Sequence, residues 1–196
     1  MRLFIALWFL SFSCAAPLAA QLTAAKDGPV AMGHHHLNVS DVEAHKRFWG
    51  ELLGGTPAKL GNNEVYKFPN VLVFLRPHEP SGGSIGTSVN HIGFMVKDLK
   101  KTVSKLKAAG VPIVTRQQVS GGRGTSDIYY AKSQDKHLAF VMAPDNLKVE
   151  LMENPSLSVP IANHHTHFAT TDVKGLQAWY AKVFGAVPGM RGQFQA

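Results

Sequence analysis

His34-His-His-Leu-Asn-Val-Ser-Asp41, His91-Ile-Gly-Phe-Met-Val-Lys-Asp98 and His165-Thr-His-Phe-Ala-Thr-Thr-Asp172 share one plan: a histidine leads, an aspartate follows seven residues later, and an amphipathic stretch comes next. The first and third runs agree further. Phe48-Trp49, Gly54 and Pro57 recur as Trp179-Tyr180, Gly185 and Pro188 at a constant offset of 131 residues. Self-similarity over that many positions marks a duplicated supersecondary unit.

Alternation inside each run predicts a strand. Leu37 and Val39, or Ile92, Phe94 and Val96, fall on one face, and the leading histidine falls on the other. A helix follows. Ser40 and Glu43 predict a capping box, and Val42, His45, Phe48, Trp49, Leu52 and Leu53 repeat at helical spacing before Gly54 stops them. In the second unit Leu99, Val103 and Leu106 line one face and Gly110 ends the helix. Strand-like runs come after each helix, at 64–68 and 71–75 in the first unit and at 111–116, 128–131, 137–142 and 147–152 in the second. Ser81-Gly82-Gly83-Ser84 reads as a joint between them.

Hydrophobic residues at 45% and charged residues at 17% fit a soluble globular chain and exclude a disordered or polytopic membrane protein. Arg2, the apolar run from Leu3 to Leu10 and the small-residue exit at Leu18-Ala19-Ala20 predict a signal peptide over 1–20. The protein is then exported, periplasmic or extracellular, with no stable membrane span after processing. Cys14, the only cysteine, lies in that segment, so the mature chain has no thiol for a disulfide or a nucleophile. The formal charge is +7, concentrated in Lys97, Lys100, Lys101, Lys105 and Lys107 around one predicted helix. That cluster reads as a solvated face, and with no reader motif no nucleic-acid partner is expected. A homo-oligomer stays open.

The tandem βαβββ unit, with histidine on its first strand and a closing strand such as Asn146-Leu-Lys-Val-Glu150-Leu151, resembles the vicinal-oxygen-chelate superfamily of glyoxalases, bleomycin-resistance proteins and extradiol dioxygenases. The resemblance spans roughly Gly33 to Asn154. It implies an α+β fold in which two βαβββ modules pair into an open half-barrel around one metal. Modules are expected over 33–80 and 88–155, with a truncated third at 163–196. The chain therefore reads as a fragment, and the segment beyond about Asn154 is expected to be poorly packed.

The resemblance also places metal ligands on the leading histidine of each paired unit and on an acid of the closing strand, here His34, His91 and Glu150. Parity agrees for Glu150, because Leu147, Val149 and Leu151 take the core face. Phe74 holds the matching position in unit one, so the implied set is two histidines and one carboxylate. Such a set leaves positions open for substrate and favours Fe(II), with Mn(II) or Zn(II) compatible. His36 shares the face of His34 and is a candidate proton carrier or outer support, whereas His35 falls on the opposite face. Tyr130 and His137 are further candidates for moving protons, with core packing the other reading of Tyr129 and Tyr130. Gly121-Gly-Arg-Gly124 reads as a flexible hairpin or lid. His165 is expected to serve a second site completed by residues outside this sequence.

Two functions follow from the resemblance. One is a metal-dependent enzyme, dioxygenase- or lyase-like, that grips two adjacent oxygens of a small substrate. The other is a non-catalytic binder of a small hydrophobic compound, of the bleomycin-resistance type. Retention of His34, His91 and Glu150 favours the enzyme.

Overall fold

The computed structural model describes residue 30 and residues 32–119, 126–191 and 194–195. The expected signal peptide and the Gly121–Gly124 run lie outside these. Unit one comprises β1 (His34–Val39), α1 (Val42–Lys46) continued by a π-helical turn (Arg47–Leu52), β2 (Thr56–Leu60), β3 (Asn63–Phe68) and β4 (Val71–Pro77). Unit two comprises β5 (Val89–Val96), α2 (Leu99–Ala108), α3 (Thr115–Gln118), β6 (Tyr129–Ala131), β7 (Lys136–Ala143) and β8 (Leu147–Glu153). Then come β9 (Ile161–Phe168), α4 (Val173–Phe184) and a short ribbon of β10 (Met190–Arg191) and β11 (Phe194–Gln195).

The aspartate that closes each repeated run has one physical job. Asp41, Asp98 and Asp172 each cap the helix that follows, accepting from the backbone N–H of Ala44, Lys101 and Gly175 at 3.0, 2.8 and 2.8 Å. Side-chain acceptors at this position satisfy amides that the first helical turn leaves unpaired. The expected capping box from Ser40 does not form: the cap is one residue later, and Ser40 turns its N–H to Asp145 Oδ2 at 2.9 Å and its hydroxyl to Asp145 Oδ1. Gly54, Gly110 and Gly185 follow the three helices at φ of 80°, 83° and 68°, the left-handed region that glycine enters without a Cβ clash.

Two sheets result. One has the order β1-β4-β3-β2 and the other β6-β7-β8-β5-β9. Units one and two thus each contribute a sheet of their own to the α+β fold. They pack core face to core face, with Trp49, Phe68 and Phe94 in one cluster (ring centroids 6.0 Å for Trp49 and Phe94, 5.1 Å for Phe68 and Phe94). A polar tie crosses the same junction. Buried His45 faces Asp145 Oδ2 through Nε2 at 2.9 Å and accepts from the Trp49 indole N–H through Nδ1 at 3.2 Å. On the side of β5 away from β8 lies β9, antiparallel, with Gly93 opposite His165 and His91 opposite His167.

Two further expectations change. The 111–116 run is not a strand: Ile113 makes a single bridge to Val141, and α3 begins at Thr115. Pro112 has no amide to donate, and the Thr115 hydroxyl caps the edge instead, accepting from Phe140 N at 2.9 Å and donating to Asp127 O at 2.7 Å. Beyond Asn154 the expected loose packing describes α4, which has no buried residue, but not β9, which pairs along β5 and buries Ile161 and Ala162. No helix among the described residues is long and apolar enough to cross a membrane.

Candidate metal centre

Parity on β5 sends Ile92, Phe94 and Val96 into the core and turns His91, Gly93 and Met95 to the opposite face. The neighbouring β8 does the same, so Glu150 stands beside them, with Gly93 as its register partner. On the other side β9 contributes His165 and His167. Glu150 Oε2 lies 3.1 Å from His91 Nε2 and 3.1 Å from His165 Nε2, and the two nitrogens are 3.3 Å apart. Ligand nitrogens of His91, His165 and His167 all fall within 4.8 Å of one another, and the His167 ring stacks on His91 (4.4 Å, 17°).

Glycine at 93 is what permits this. A methyl group there would overlap the His165 imidazole, so a side chain on β5 at that point would push the second histidine away. His91 and Glu150 are 5% and 6% exposed, and the edge of the Phe140 ring covers His91 at 5.5 Å.

The donor set suits a cation. Asn90 Oδ1 sits 3.0 Å from His91 Nδ1. A proton held there leaves Nε2 as the ring nitrogen that faces the Glu150 oxygen and His165 Nε2; protonated, it donates to Glu150, and a cation at that point would take its lone pair in place of the proton. Burial lowers His91 below the ordinary imidazole range more than its bond and charge contact with Glu150 raise it. His167 falls to about 4, through burial first and then the charges of His91 and His165. Burial alone would raise Glu150, but hydrogen bonds from His165 and His91 and their charge outweigh it and hold the carboxyl down at about 2. The unprotonated carboxylate and imidazoles are the forms that bind metal.

Of the residues expected from the sequence, His91 and Glu150 are brought together. His34 is not with them. It lies on β1, in the other sheet, with His36 (4.6 Å between rings), and His36 stacks on Phe74 at 4.7 Å. The histidine that meets His91 is His165, which the sequence reading had assigned to a separate site. Its repeat position was legible; its register against β5 was not. Tyr130 and His137 lie apart, the tyrosine donating to Asp135 at 2.6 Å and His137 Nδ1 standing 3.5 Å from Glu153. His35 faces inward as parity requires. Its Nε2 is buried without a partner, and burial, followed by the charge of His34, lowers it to about 4.

A family model described as the glyoxalase/bleomycin resistance protein/dioxygenase superfamily matches residues 31–126. The match covers just under half of the chain. Among its relatives is a probable lactoylglutathione lyase of Vibrio parahaemolyticus, 27% identical over 139 residues, covering 64% of this chain and 91% of that protein. A lactoylglutathione lyase of Haemophilus influenzae is 27% identical over 144 residues, covering 66% and 97%. Among solved structures, glyoxalase I of Zea mays superposes with a TM-score of 0.63 at 19% identity, over 81% of this chain and 56% of that one. The superposition shows a shared fold.

Proposed function

We propose that this protein is a member of that superfamily and a metal-dependent, lyase-like enzyme whose ion is held by His91, His165 and Glu150, with His167 beside it. The observation that carries the reading is the buried Glu150 oxygen shared by imidazoles from two neighbouring strands. The relatives described as lactoylglutathione lyases favour lyase over dioxygenase chemistry. A bound divalent ion supplies Lewis-acid polarisation of two adjacent substrate oxygens and stabilises the charge that develops on them. The chain's own residues do the rest. Asn90 fixes the orientation and proton of His91, Gly93 admits His165, and Phe140 keeps water from one side. Imidazole and carboxylate ligands accept Fe(II), Mn(II) or Zn(II) alike, so the donor set names a class of ion.

Metal content of folded protein tests this. The wild type is expected to bind close to one divalent ion per chain, and His91→Ala, His165→Ala and Glu150→Ala to lose most of it. Equal metal content in all four proteins overturns the proposal and leaves a non-catalytic small-molecule binder.

A further inference from the structure

Lys148 is a buried lysine in no ion pair among the described residues; burial lowers its pKa, and the charge of Glu150 opposes that without a direct contact. The residue is 5% exposed. Its Nζ donates to Gln118 Oε1 at 3.0 Å and stands 5.2 Å over the Phe140 ring. An ammonium carries three N–H donors; the amide takes one and the aromatic face takes none in the ordinary sense. No ion pair joins Lys148 to a carboxylate among the described residues. Removing an ammonium from water costs several kcal/mol unless a counter-charge is supplied, and Glu150, the carboxylate whose charge reaches it, is engaged by two imidazoles.

The position is as telling as the missing partner. Along β8 the side chains of Lys148, Glu150 and Met152 share the face opposite the main core, into which Leu147, Val149 and Leu151 pack, and Met152 joins a second apolar cluster with Val119, Ala131 and Leu138. Across the sheet, Met142 and Phe140 of β7 stand opposite Lys148 and Glu150. Lys148 is close enough to His91 and His167 for its charge to lower both. The amine is thus two strand positions from Glu150 on one floor, a spacing of roughly 6.5 Å. Its backbone is pinned, since Lys148 N donates to Ser84 Oγ at 2.9 Å.

We infer that Lys148, steadied by Gln118 and Phe140, is the anchor for an anionic group, a carboxylate above all, on the substrate of the metal site. The inference rests on the proposed function for what lies at the other end of that substrate. A ligand with two adjacent oxygens at one end and a carboxylate a few bonds away spans the floor from His91 and Glu150 to the amine. Gln118 and the ring leave the remaining N–H donors to it.

The probes are 2-oxoglutarate and 2-oxobutyrate, which share a chelating head and differ in the distal carboxylate. Titrated into cobalt-loaded protein and followed by the cobalt absorption bands, the wild type is expected to bind 2-oxoglutarate at least tenfold more tightly. Lys148→Met, which keeps the volume and apolar stem, should bring the ratio to about one with cobalt content unchanged, and Lys148→Arg should restore the preference. A wild-type ratio of one, or a preference that survives Lys148→Met, overturns the assignment. Metal-free protein titrated with glutarate separates the two proposals. If the wild type takes up no cobalt but binds glutarate in a Lys148-dependent way, the metal reading fails and the anion anchor stands. Normal cobalt uptake without any Lys148 dependence does the reverse.

Discussion

β1 and β5 begin the same repeated unit, and each lies parallel to the closing strand of its own module, yet their outer faces carry opposite equipment. In the first module His36 is the register partner of Phe74; in the second Gly93 is the register partner of Glu150. His34 therefore corresponds to His91, but the place that the second module leaves empty for an incoming ring is filled by His36, and the place of the carboxylate is filled by a phenyl group. The first module keeps the leading histidine and none of its company. A histidine at the right repeat position is not a ligand by virtue of that position. In the proposed centre the histidine has a carboxylate beside it and a glycine that lets a second strand bring its own imidazole.

The largest effect that sharpens this contrast is expected at the centre itself. Glu150→Ala removes a ligand and should lower metal affinity by more than the roughly hundredfold that losing a group behind a ligand can cost, whereas His34→Ala should leave metal content unchanged. Metal loss in His34→Ala would mean that the two sheets cooperate at one ion.

Gly93→Ala comes next. The added methyl meets the His165 ring, and overpacking costs about 1–3 kcal/mol, so both thermal stability and metal uptake should fall. His36→Ala on β1 should leave metal uptake unchanged and cost only the small stability of its stack on Phe74. Calorimetry and metal analysis on the same samples check the pair.

A third test concerns the tie between the modules. Asp145→Ala takes away the acceptor of Ser40 and the partner of His45, and an unsatisfied buried group of this kind costs about 1–3 kcal/mol. His45 also sets a pH dependence. Burial outweighs the raising influence of Asp145 and holds its folded-state pKa below the ordinary 6.5. The unfolded chain thus takes up the proton more readily than the folded one, and this contribution is complete above about pH 6.5 and lost as pH falls toward the folded value. His35, at about 4, acts in the same direction. Denaturant midpoints should fall on acidification below about pH 6.5, and less so in His45→Gln.

Much of the fold could be read from the chain because its signals are local. The leading histidine, the aspartate at seven residues and the terminating glycine mark strand, N-cap and helix end three times over. The failures share a cause in long-range register. Ser40 and Glu43 have the spacing of a capping box, but Asp145, a hundred residues away, claims Ser40. Val111 to Arg116 alternates like a strand, but Pro112 and Thr115 answer to the edge of β7. His165 was recognised as a ligand-type histidine and given the wrong neighbours, since nothing within 161–168 says that this strand will lie against β5 rather than elsewhere. His167 and Lys148 had a legible face but no legible partner.

The repeat has also distributed its tryptophans so that the protein carries two optical reporters of different kinds. Trp49 has no exposed surface and donates its indole N–H to His45, while Trp179, near its counterpart on α4, is half exposed. Emission from Trp49 should lie to the blue and be quenched when His45 takes up a proton; emission from Trp179 should lie to the red and yield to aqueous quenchers such as iodide. With Trp8, the third tryptophan of the sequence, replaced by phenylalanine, a single emission spectrum resolved into these two components would follow the junction of the first two modules and the surface of the third segment separately, without any label being attached.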